Sequence, residues 1–461
     1  MPAAPTAVIV DESARPERRG GAGGGAIALL FFGNAALILL LWLRATGSQP
    51  VNSSADELNQ IGRLTALLGT YLVLWQLLFM SRVPWLERSL GMETLMGLHR
   101  WNGYAALTLL LAHAVTQTMG YASTAKVSFV AQLVDFAQHY DGLLAAMVAL
   151  VLLVAVTVLS IAIVRRHMAY ETWYFVHLYA YLAVLLAFGH ELATGSDFLG
   201  NPVFVWYWWA MYGAVGACLL FYRLVAPLRL YARHRFRVER VEREGNKAVS
   251  LYVGGRDLAA FAFEPGQFAV WRFLDGRRWW EAHPFTLSLP PNGKHLRLTV
   301  KRSGDFTTAM SSVRVGTPVL LEGPFGRFTS TTTTREKALL IAGGIGITPL
   351  RVLAEDLARD GVDVRLLYRA RRSADVALRD ELDRLSSEHG VRVDYLLSDR
   401  DTQGRRGGDW LRAQNLGRLV PDLIEREVYL CGPIGMMDAV RAALRQLEVP
   451  YRHIHTEVFR F

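Results

Sequence analysis

The sequence predicts a multi-domain protein in which a six-helix transmembrane bundle precedes a soluble module made of an antiparallel β-barrel and a parallel α/β domain. Leu, Ala, Val, Trp and Phe dominate residues 26–226, whereas residues 231–461 have the charge density of a soluble protein. Short alternating apolar segments fill residues 231–330, and apolar strands alternate with helical segments in residues 335–461. A chain of 461 residues also exceeds the usual size of one domain, so several modules are expected.

Six apolar stretches are each long enough to cross a hydrocarbon core of about 30 Å as a helix. They cover residues 26–43, 61–80, 98–119, 143–164, 173–192 and 203–225. Residues 1–25 contain three arginines followed by glycines, and the apolar stretch after them is too long for a signal peptide. We therefore expect this segment to be a disordered cytoplasmic tail.

The charges between the apolar stretches predict the orientation of the bundle. Arginines gather in alternate linkers, on the same side as the N-terminal tail, and the other linkers carry little basic charge. By the positive-inside rule, both termini and the whole soluble half are expected in the cytoplasm. An anionic inner leaflet also accounts for the net charge of +9, so the predicted partner is the lipid bilayer and not nucleic acid. The arginines are Arg82, Arg88, Arg165, Arg166, Arg223, Arg229 and Arg233.

Four histidines in the third and fifth stretches have the spacing of heme ligands. His99 and His113 are fourteen residues apart, and His177 and His190 are thirteen apart, so each pair lies on one face of its helix and spans roughly 20 Å. The two helices run in the same direction, which places His99 level with His177 and His113 level with His190. The spacing predicts two bis-histidine b-type hemes, which suit electron relay because the iron has no open position. The alternative is that each histidine only satisfies a neighbouring helix.

Cysteine usage and one arginine narrow the redox chemistry further. Cys218 and Cys431 are the only two cysteines, too few to ligate an iron–sulfur cluster. Arg63 lies near the outer start of the second stretch, where a cation in the membrane needs a reason. We expect it to hold a heme propionate or to attract an anionic acceptor, with a snorkelling side chain as the alternative.

The soluble half carries a motif that is specific to one family. His283, Pro284, Phe285 and Thr286, followed by Leu-Ser, resemble the flavin-contacting HPFT motif of the NADPH oxidase and ferric reductase family, and the resemblance extends over nearly the whole chain from Ala26. It implies a ferredoxin-reductase-like module in which these four residues hold FAD. In the same family a terminal aromatic residue stacks on the flavin, so Phe461 is expected to gate hydride transfer, unless it merely packs a terminal strand.

Two further segments predict where phosphates are held. Gly304, Thr307 and Thr308 belong to a segment that opens a helix, whose free N–H groups suit the FAD diphosphate, with a simple helix cap as the alternative. A glycine-rich turn follows a strand and precedes a helix, and it is similar to the nicotinamide-binding loop of ferredoxin-reductase-like modules. Its predicted cofactor-binding residues are Gly343, Gly344, Gly346, Thr348 and Pro349.

The remaining cofactor contacts are predicted at the ends of two other strands. Cys431, Gly432 and Pro433 are similar to the CGP segment that family members place beside the nicotinamide, although a buried structural cysteine is the alternative. Arg369 and Arg371 follow another strand and could meet a 2′-phosphate, which favours NADPH over NADH unless these arginines are only solvated.

The predicted function is therefore transmembrane electron transfer by an NAD(P)H oxidase or ferric-reductase-type enzyme. Electrons from cytoplasmic NAD(P)H would pass through FAD and two hemes to dioxygen, giving superoxide, or alternatively to a ferric chelate. Gln117 stands where some eukaryotic oxidases of the family have a further histidine, which weakens the case for dioxygen. We expect a bacterial inner-membrane protein without a calcium signal or an obligatory cytosolic activator. A non-catalytic cytochrome-b-like anchor subunit is the alternative from another class.

Overall fold

The computed structural model describes residues 22–45, 47–161, 170–194, 201–276, 278–397 and 409–458. A region of long helices comes first, and two domains that contain β-sheets follow it. The described helices of the first region are α1 (Ala22–Ala45), α2 (Ser54–Phe79), α3 (Pro84–Leu90), α4 (Met92–Ala125), α5 (Phe129–His139), α6 (Leu143–Ser160), α7 (Tyr170–Thr194), α8 (Pro202–Leu220) and α9 (Ala226–His234). A short π-helical segment joins α8 to α9 without a break.

Five helical spans within the described residues are long and apolar enough to cross a membrane. They are Gly23–Ala45, Ser54–Phe79, Leu143–Ser160, Thr172–Glu191 and Pro202–His234. The predicted third span lies in α4, which is long enough but more polar, because it carries His99, Asn102, His113 and Gln117. The prediction of a membrane region is therefore confirmed, whereas the count of six spans is not.

Glycines bring α2 and α4 into close antiparallel contact. A methyl group on Gly69 would lie 2.9 Å from Leu110, and one on Gly62 would lie 2.8 Å from the hydroxyl of Thr116. From α4, a methyl on Gly120 would meet Asn59 at 2.3 Å. Small residues at these positions let the two backbones approach closely, as is common between helices in membranes.

The first soluble domain carries the HPFT segment that is predicted to hold FAD, and we call it the flavin-type domain. It consists of two three-stranded antiparallel sheets around one apolar core. Its strands are β1 (Arg237–Glu244), β2 (Ala248–Gly254), β3 (Phe268–Phe273), β4 (His283–Thr286), β5 (Leu296–Lys301) and β6 (Val319–Phe325). The sheet orders are β1-β2-β5 and β4-β3-β6. Side chains from both sheets, among them Leu251 and Trp271, are completely buried in the shared core. A short helix, α10 (Asp305–Ala309), follows β5.

The C-terminal domain is a five-stranded parallel sheet with helices on its faces, as the alternation of strands and helices predicts. Its strand order is β11-β10-β7-β8-β9, so the direction of winding reverses between β7 and β10. Ligands of such sheets bind outside the carboxyl ends of the strands at this switch point. The strands are β7 (Lys337–Gly343), β8 (Asp363–Ala370), β9 (Arg392–Leu397), β10 (Glu427–Cys431) and β11 (Ile454–Glu457), and the helices are α11 (Ile347–Arg359), α12 (Arg379–His389), α13 (Ala413–Leu419) and α14 (Ile434–Gln446).

Polar contacts attach the flavin-type domain to the helical region. The carboxylate of Glu87, in α3, accepts a hydrogen bond of 2.8 Å from the N–H of Gly326. Arg327 donates one of 2.9 Å to the carbonyl of Ser89. Arg82 forms an ion pair with Glu322 of β6. Since these contacts join α3 and its flanking residues to β6 and the turn after it, they define how the two regions sit relative to each other.

A buried ion-pair network joins the two soluble domains. Arg297 of β5 is 1% exposed and forms an ion pair with Glu381 of α12. Glu381 is also paired with Arg351 of α11 at 2.7 Å. Arg297 additionally donates a hydrogen bond to the carbonyl of Ser288, just after the HPFT segment. The same guanidinium group thus supports the flavin-type motif and the domain interface.

Arg297→Ala is expected to lower the unfolding temperature of the soluble module by on the order of 10 °C. Arg297→Ala leaves Glu381 with Arg351 as a partner but removes a second buried ion pair and the donor to the Ser288 carbonyl, and breaking a buried pair costs about 3–5 kcal/mol. Thermal unfolding of the full chain in detergent, followed by flavin release, measures this change. Arg233→Ala is the matched control, because the Arg233–Asp257 pair is solvent-exposed and such pairs contribute little. Equal shifts in the two variants would contradict the assigned role.

Candidate functional site

The four predicted ligand histidines form two pairs between α4 and α7. The rings of His99 and His177 are 5.9 Å apart between centroids, with 57° between their planes. His113 and His190 are close enough to interact electrostatically. Two iron–imidazole bonds of about 2 Å on opposite sides of a metal would place ring centroids roughly 6 Å apart. The His99–His177 separation therefore fits a bis-histidine heme.

Backbone carbonyls of α2 orient both histidines of α4. Nδ1 of His99 lies 3.2 Å from the carbonyl oxygen of Gln76, and Nδ1 of His113 lies 2.9 Å from that of Gly62. Each contact requires Nδ1 to carry the proton, because a carbonyl only accepts. Nε2 then carries the lone pair that a metal needs, which is the usual arrangement of a metal-bound histidine.

The carbonyls repeat with the same spacing as the histidines. Gly62 and Gln76 are fourteen residues apart, as are His99 and His113, and the two helices run antiparallel. The close approach at Gly62 is what brings its carbonyl within hydrogen-bonding distance of the ring. On α6, Ser160 makes the corresponding contact with His177, at 3.2 Å from Nδ1.

Within the described residues there is no cluster of three or more His, Cys, Asp or Glu side chains that could hold a single metal ion. A bis-histidine heme needs only two protein ligands, since the porphyrin supplies the others. Each of the two histidine pairs among the described residues could supply that number of ligands.

Glu191 was missed by sequence reasoning, although it directly follows His190. Its carboxylate accepts hydrogen bonds from Thr70 of α2 at 2.9 Å, from Trp208 of α8 at 2.9 Å and from Tyr212 of α8 at 3.1 Å. A carboxyl group among membrane helices is costly without partners, so this set of donors stabilises it and joins three helices beside the second histidine pair. An intramembrane acidic residue next to a ligand position was the available signal.

Arg63 and Gln117 lie near His113, towards the side of the bundle that holds the second histidine pair. Arg63 is half-buried and follows Gly62, whose carbonyl contacts His113. The side-chain amide of Gln117 donates a hydrogen bond of 2.9 Å to the carbonyl of Asn59. Its role here is to join α4 to α2.

The HPFT residues constitute β4 and pair with β3. The indole N–H of Trp271 donates to the carbonyl of Phe285 at 3.0 Å, which fixes the backbone in the middle of the motif. The rings of Phe285 and Phe306 lie nearly parallel, with 15° between their planes and 6.1 Å between centroids. The ring centroids of His283 and Phe306 are 3.9 Å apart. Thr286 is buried, whereas Pro284 is exposed. The motif thus presents one aromatic surface at an edge of the β4-β3-β6 sheet.

Gly304 precedes α10, as the sequence predicts for a helix start. The hydroxyl of Thr307 accepts hydrogen bonds from the backbone N–H groups of Ser303 at 3.0 Å and of Gly304 at 3.1 Å. The N–H of Thr308 bonds to the carbonyl of Gly304. The Thr307 side chain therefore caps the helix, and contacts with a phosphate would come from the backbone.

The glycine-rich turn and the CGP segment lie against each other at the switch point of the sheet. A methyl group on Gly346 would lie 2.3 Å from the carbonyl oxygen of Cys431, and one on Gly343 would lie 2.8 Å from Pro433. A methyl on Gly432 would come within 3.1 Å of the Gly343 backbone. Gly344 has a φ of +55°, which favours glycine. The tertiary structure thus joins two segments that are distant in sequence.

Three predicted residues of this loop region are buried. The Cys431 side chain is 0% exposed, and burial raises the pKa of its thiol well above its usual value. Thr348 is buried, and its hydroxyl donates to the carbonyl of Ile345 at 3.0 Å. Pro349 is buried in the first turn of α11. These side chains therefore pack in the interior next to the loop.

Arg369 lies beside the glycine-rich turn, because its position in β8 pairs with Gly343 in β7. Its Nε is buried and has no hydrogen-bond acceptor among the described residues. A buried donor without a partner costs free energy, and a phosphate would supply the partner. Arg371 is exposed just beyond the strand. Phe461 lies outside the described residues.

Glu457 is a second residue that sequence reasoning missed. It ends β11 and pairs with Cys431 of β10. Burial, together with the nearby carboxylates of Glu93 and Glu87, raises the pKa of Glu457 to about 8. The end of the C-terminal strand therefore faces the same end of the helical region as α3, close to the predicted nicotinamide segment.

Three protein families match the chain in succession. Residues 65–188 match the ferric reductase like transmembrane component, residues 234–329 match an FAD-binding domain and residues 340–442 match an oxidoreductase NAD-binding domain. The chain therefore combines a region similar to a transmembrane reductase component with domains similar to FAD-binding and NAD-binding domains, in the order that the sequence predicts.

Curated relatives share only part of this chain. A flavohemoprotein of Chromobacterium violaceum is 34% identical over 246 residues, which is 49% of this chain and 60% of the relative. The ferredoxin reductase component of a 3-ketosteroid-9-alpha-monooxygenase of Mycobacterium tuberculosis is 34% identical over 43% of this chain and 55% of its own length. The chain thus spans less than two thirds of these relatives. The crystal structure of the FAD/NAD-binding domain of a nitric oxide dioxygenase from Vibrio cholerae aligns with 26% identity, 49% coverage of this chain, 99% coverage of that domain and a TM-score of 0.43.

The unfolding temperature of the soluble module is expected to fall as the pH rises from about 5 to 8. The folded state raises the pKa of Glu457 to about 8 from an unfolded value of 4.5. Between pH 4.5 and 8, Glu457 keeps a proton in the folded chain that it has lost in the unfolded chain. The contribution of Glu457 to stability is therefore fully present below pH 4.5 and is lost as the pH rises towards 8. Thermal melts of the full chain at several pH values measure this.

Glu457→Gln is expected to flatten the pH dependence, because the amide stays neutral. Asp438→Asn is a matched control in an exposed carboxylate of the same domain, and it should keep the wild-type slope. An unchanged slope in Glu457→Gln would show that Glu457 does not cause it.

Proposed function

We propose that this chain, which has the domain architecture of the NADPH oxidase and ferric reductase family, transfers electrons from NAD(P)H through FAD and two b-type hemes to an acceptor across the membrane. The observation that carries the proposal is the approach of His99 to His177, with Nδ1 of His99 on a backbone carbonyl and Nε2 left for a metal. A structural histidine has no need of a second imidazole at this distance.

The residues for each cofactor are proposed from their positions. His99 with His177, and His113 with His190, would each hold one heme. His283 to Thr286 and the backbone around Gly304 would hold FAD, and the turn from Gly343 to Gly346 with Cys431 to Pro433 would hold the nicotinamide cofactor. When bound, flavin accepts a hydride and releases single electrons, and a bis-histidine heme carries one electron at a time.

The chain's own residues keep the proposed sites in a fixed order. Glu87 and Arg327 attach the flavin-type domain to the end of the helical region that holds α3. Phe175, two residues before His177, lies 5.6 Å from Trp280 of the same domain. The flavin-type domain thus contacts α7, the helix that carries His177. His99 and His177 are therefore the histidine pair nearer to this domain. We propose that His99 and His177 lie towards the cytoplasmic side, which is the side that the arginine-rich linkers predict for both termini.

Dioxygen is the leading acceptor in this proposal, and its product would be superoxide. A ferric chelate is the alternative, because Gln117 is bonded to the Asn59 carbonyl and Arg63 adds a cation beside the second histidine pair. A chelate of ferric iron is commonly anionic, and Arg63 would attract it electrostatically.

Anaerobic addition of NADPH to the purified, FAD-supplemented protein is expected to reduce a b-type heme spectrum. His177→Ala should abolish heme reduction but leave flavin reduction intact, because the nearer site would lose one of its two ligands. His113→Ala should remove only the farther heme signal and the subsequent reduction of an acceptor. Admission of air with a superoxide dismutase-sensitive probe, or of a ferric chelate, then ranks the acceptors.

His139→Ala is the control for these histidine variants, since His139 is exposed at the end of α5 and bonded to Asp135. It should behave as the unmodified protein. If NADPH reduces no heme in the unmodified protein, the proposed enzyme fails, and a non-catalytic anchor subunit becomes the better interpretation.

Arg369→Ala is expected to raise the KM for NADPH by about tenfold or more and to leave the KM for NADH nearly unchanged. A hydrogen bond to a charged group contributes about 1.5–3 kcal/mol, and only NADPH has the 2′-phosphate. Steady-state reduction of a soluble dye by the flavin measures both constants. Arg359→Ala, an exposed arginine on α11, is the control. Equal increases for NADPH and NADH would contradict a 2′-phosphate contact.

A further inference from the structure

The loop between β3 and β4 presents an exposed tryptophan beside a membrane span. Trp279 is 59% exposed and Leu274 is 36% exposed. The next residue, Trp280, packs against Phe175, with 5.6 Å between ring centroids. Phe175 lies in the first turn of the candidate span Thr172–Glu191. One tryptophan of the loop therefore contacts a membrane helix, and its neighbour is directed away from the protein.

Polar contacts hold the loop in this shape. Arg272 of β3 donates hydrogen bonds to the carbonyls of Trp279 at 3.2 Å and of Trp280 at 3.0 Å. Asp275 accepts bonds from the backbone N–H and from Nε of Arg278, both at 2.8 Å. The described part of the loop is thus held by hydrogen bonds to Arg272 and to Asp275. These bonds keep the loop in the conformation that exposes Trp279.

The depth of the loop can be read from the histidine pair. The His99–His177 contact between these parallel helices places residues 97–99 of α4 level with residues 175–177 of α7. Trp101, two residues further along α4, is 68% exposed. Tryptophans gather at the membrane–water interface, because their rings are apolar and their N–H group needs a polar partner. Trp279 is adjacent to Trp280 and its contact with Phe175, which thus lies within roughly one helical turn of the level of exposed Trp101.

We propose that Trp279 and Leu274 insert into the lipid headgroup region on the side of the bilayer where the soluble domains lie. A single exposed apolar residue is ordinary on a soluble surface, so exposure alone would carry no conclusion. The contact of Trp280 with a membrane span is decisive, because it makes the loop surface continuous with the lipid-facing surface of α7. The occupant is the bilayer, and the loop is a second support for the flavin-type domain besides the contacts of Glu87 and Arg82.

This inference does not depend on the proposed electron transfer, and spin labels test it without any turnover. Single cysteines replace Trp279 or Leu274 in a Cys218→Ser background of the full chain, with buried Cys431 retained. Each variant is labelled with a nitroxide and placed in phospholipid nanodiscs. Collision rates are then measured with oxygen, which concentrates in lipid, and with a water-soluble nickel chelate.

Two further labels calibrate the measurement. Trp206→Cys, in the candidate span Pro202–His234, reports lipid, since Trp206 is 74% exposed. Tyr451→Cys reports water, since Tyr451 is 86% exposed in the C-terminal domain. The labels at 279 and 274 are expected to show an oxygen-to-nickel collision ratio several-fold above that at 451 and close to that at 206. A ratio equal to that at 451 would overturn the proposal, as would shielding from both reagents, which indicates a protein partner or a second copy.

Discussion

The arrangement of the helical region depends on the need to satisfy polar groups inside a membrane. Histidine rings are costly there unless both nitrogens have partners. Carbonyls of α2 supply one partner for each histidine of α4, and they reach the rings because glycines let the helices approach. The same contact fixes the proton on Nδ1, so helix packing and the tautomer of both rings follow from one constraint, and Nε2 would be available to the proposed heme.

Fixed polar contacts extend this order from the membrane region into the soluble module. Glu87 binds the backbone of the turn after β6, and Arg297 joins β5 to Glu381 of the C-terminal domain. An aromatic contact between Trp280 and Phe175 of α7 adds to these polar contacts. Breaking a buried ion pair by removing one partner is strongly destabilising, so each pair constrains the elements that it joins. Their placement at both domain junctions means that the flavin-type motif, the glycine-rich turn and the nearer histidine pair are held in defined positions relative to one another.

The C-terminal sheet shows how topology assembles a site from separate segments. The glycine-rich turn follows β7 and the CGP segment follows β10, and these strands are neighbours because the winding reverses between them. The missing side chains of Gly343 and Gly346 allow the two segments to touch. Arg369 reaches the same place from β8, with a buried nitrogen that lacks a partner in the described chain. A phosphate-bearing cofactor fits all three features.

The sequence by itself determined the features that depend on local periodicity and on short motifs. The membrane region, the antiparallel and parallel sheets, the histidine spacing and the HPFT strand were all predictable, since each lies within one helix, strand or turn. Only the tertiary structure decided which groups satisfy the buried polar atoms. It buried Cys431 and brought Thr70, Trp208 and Tyr212 to Glu191. The partners of Glu191 lie on other helices, and side-chain spacing along one element carries no information about them.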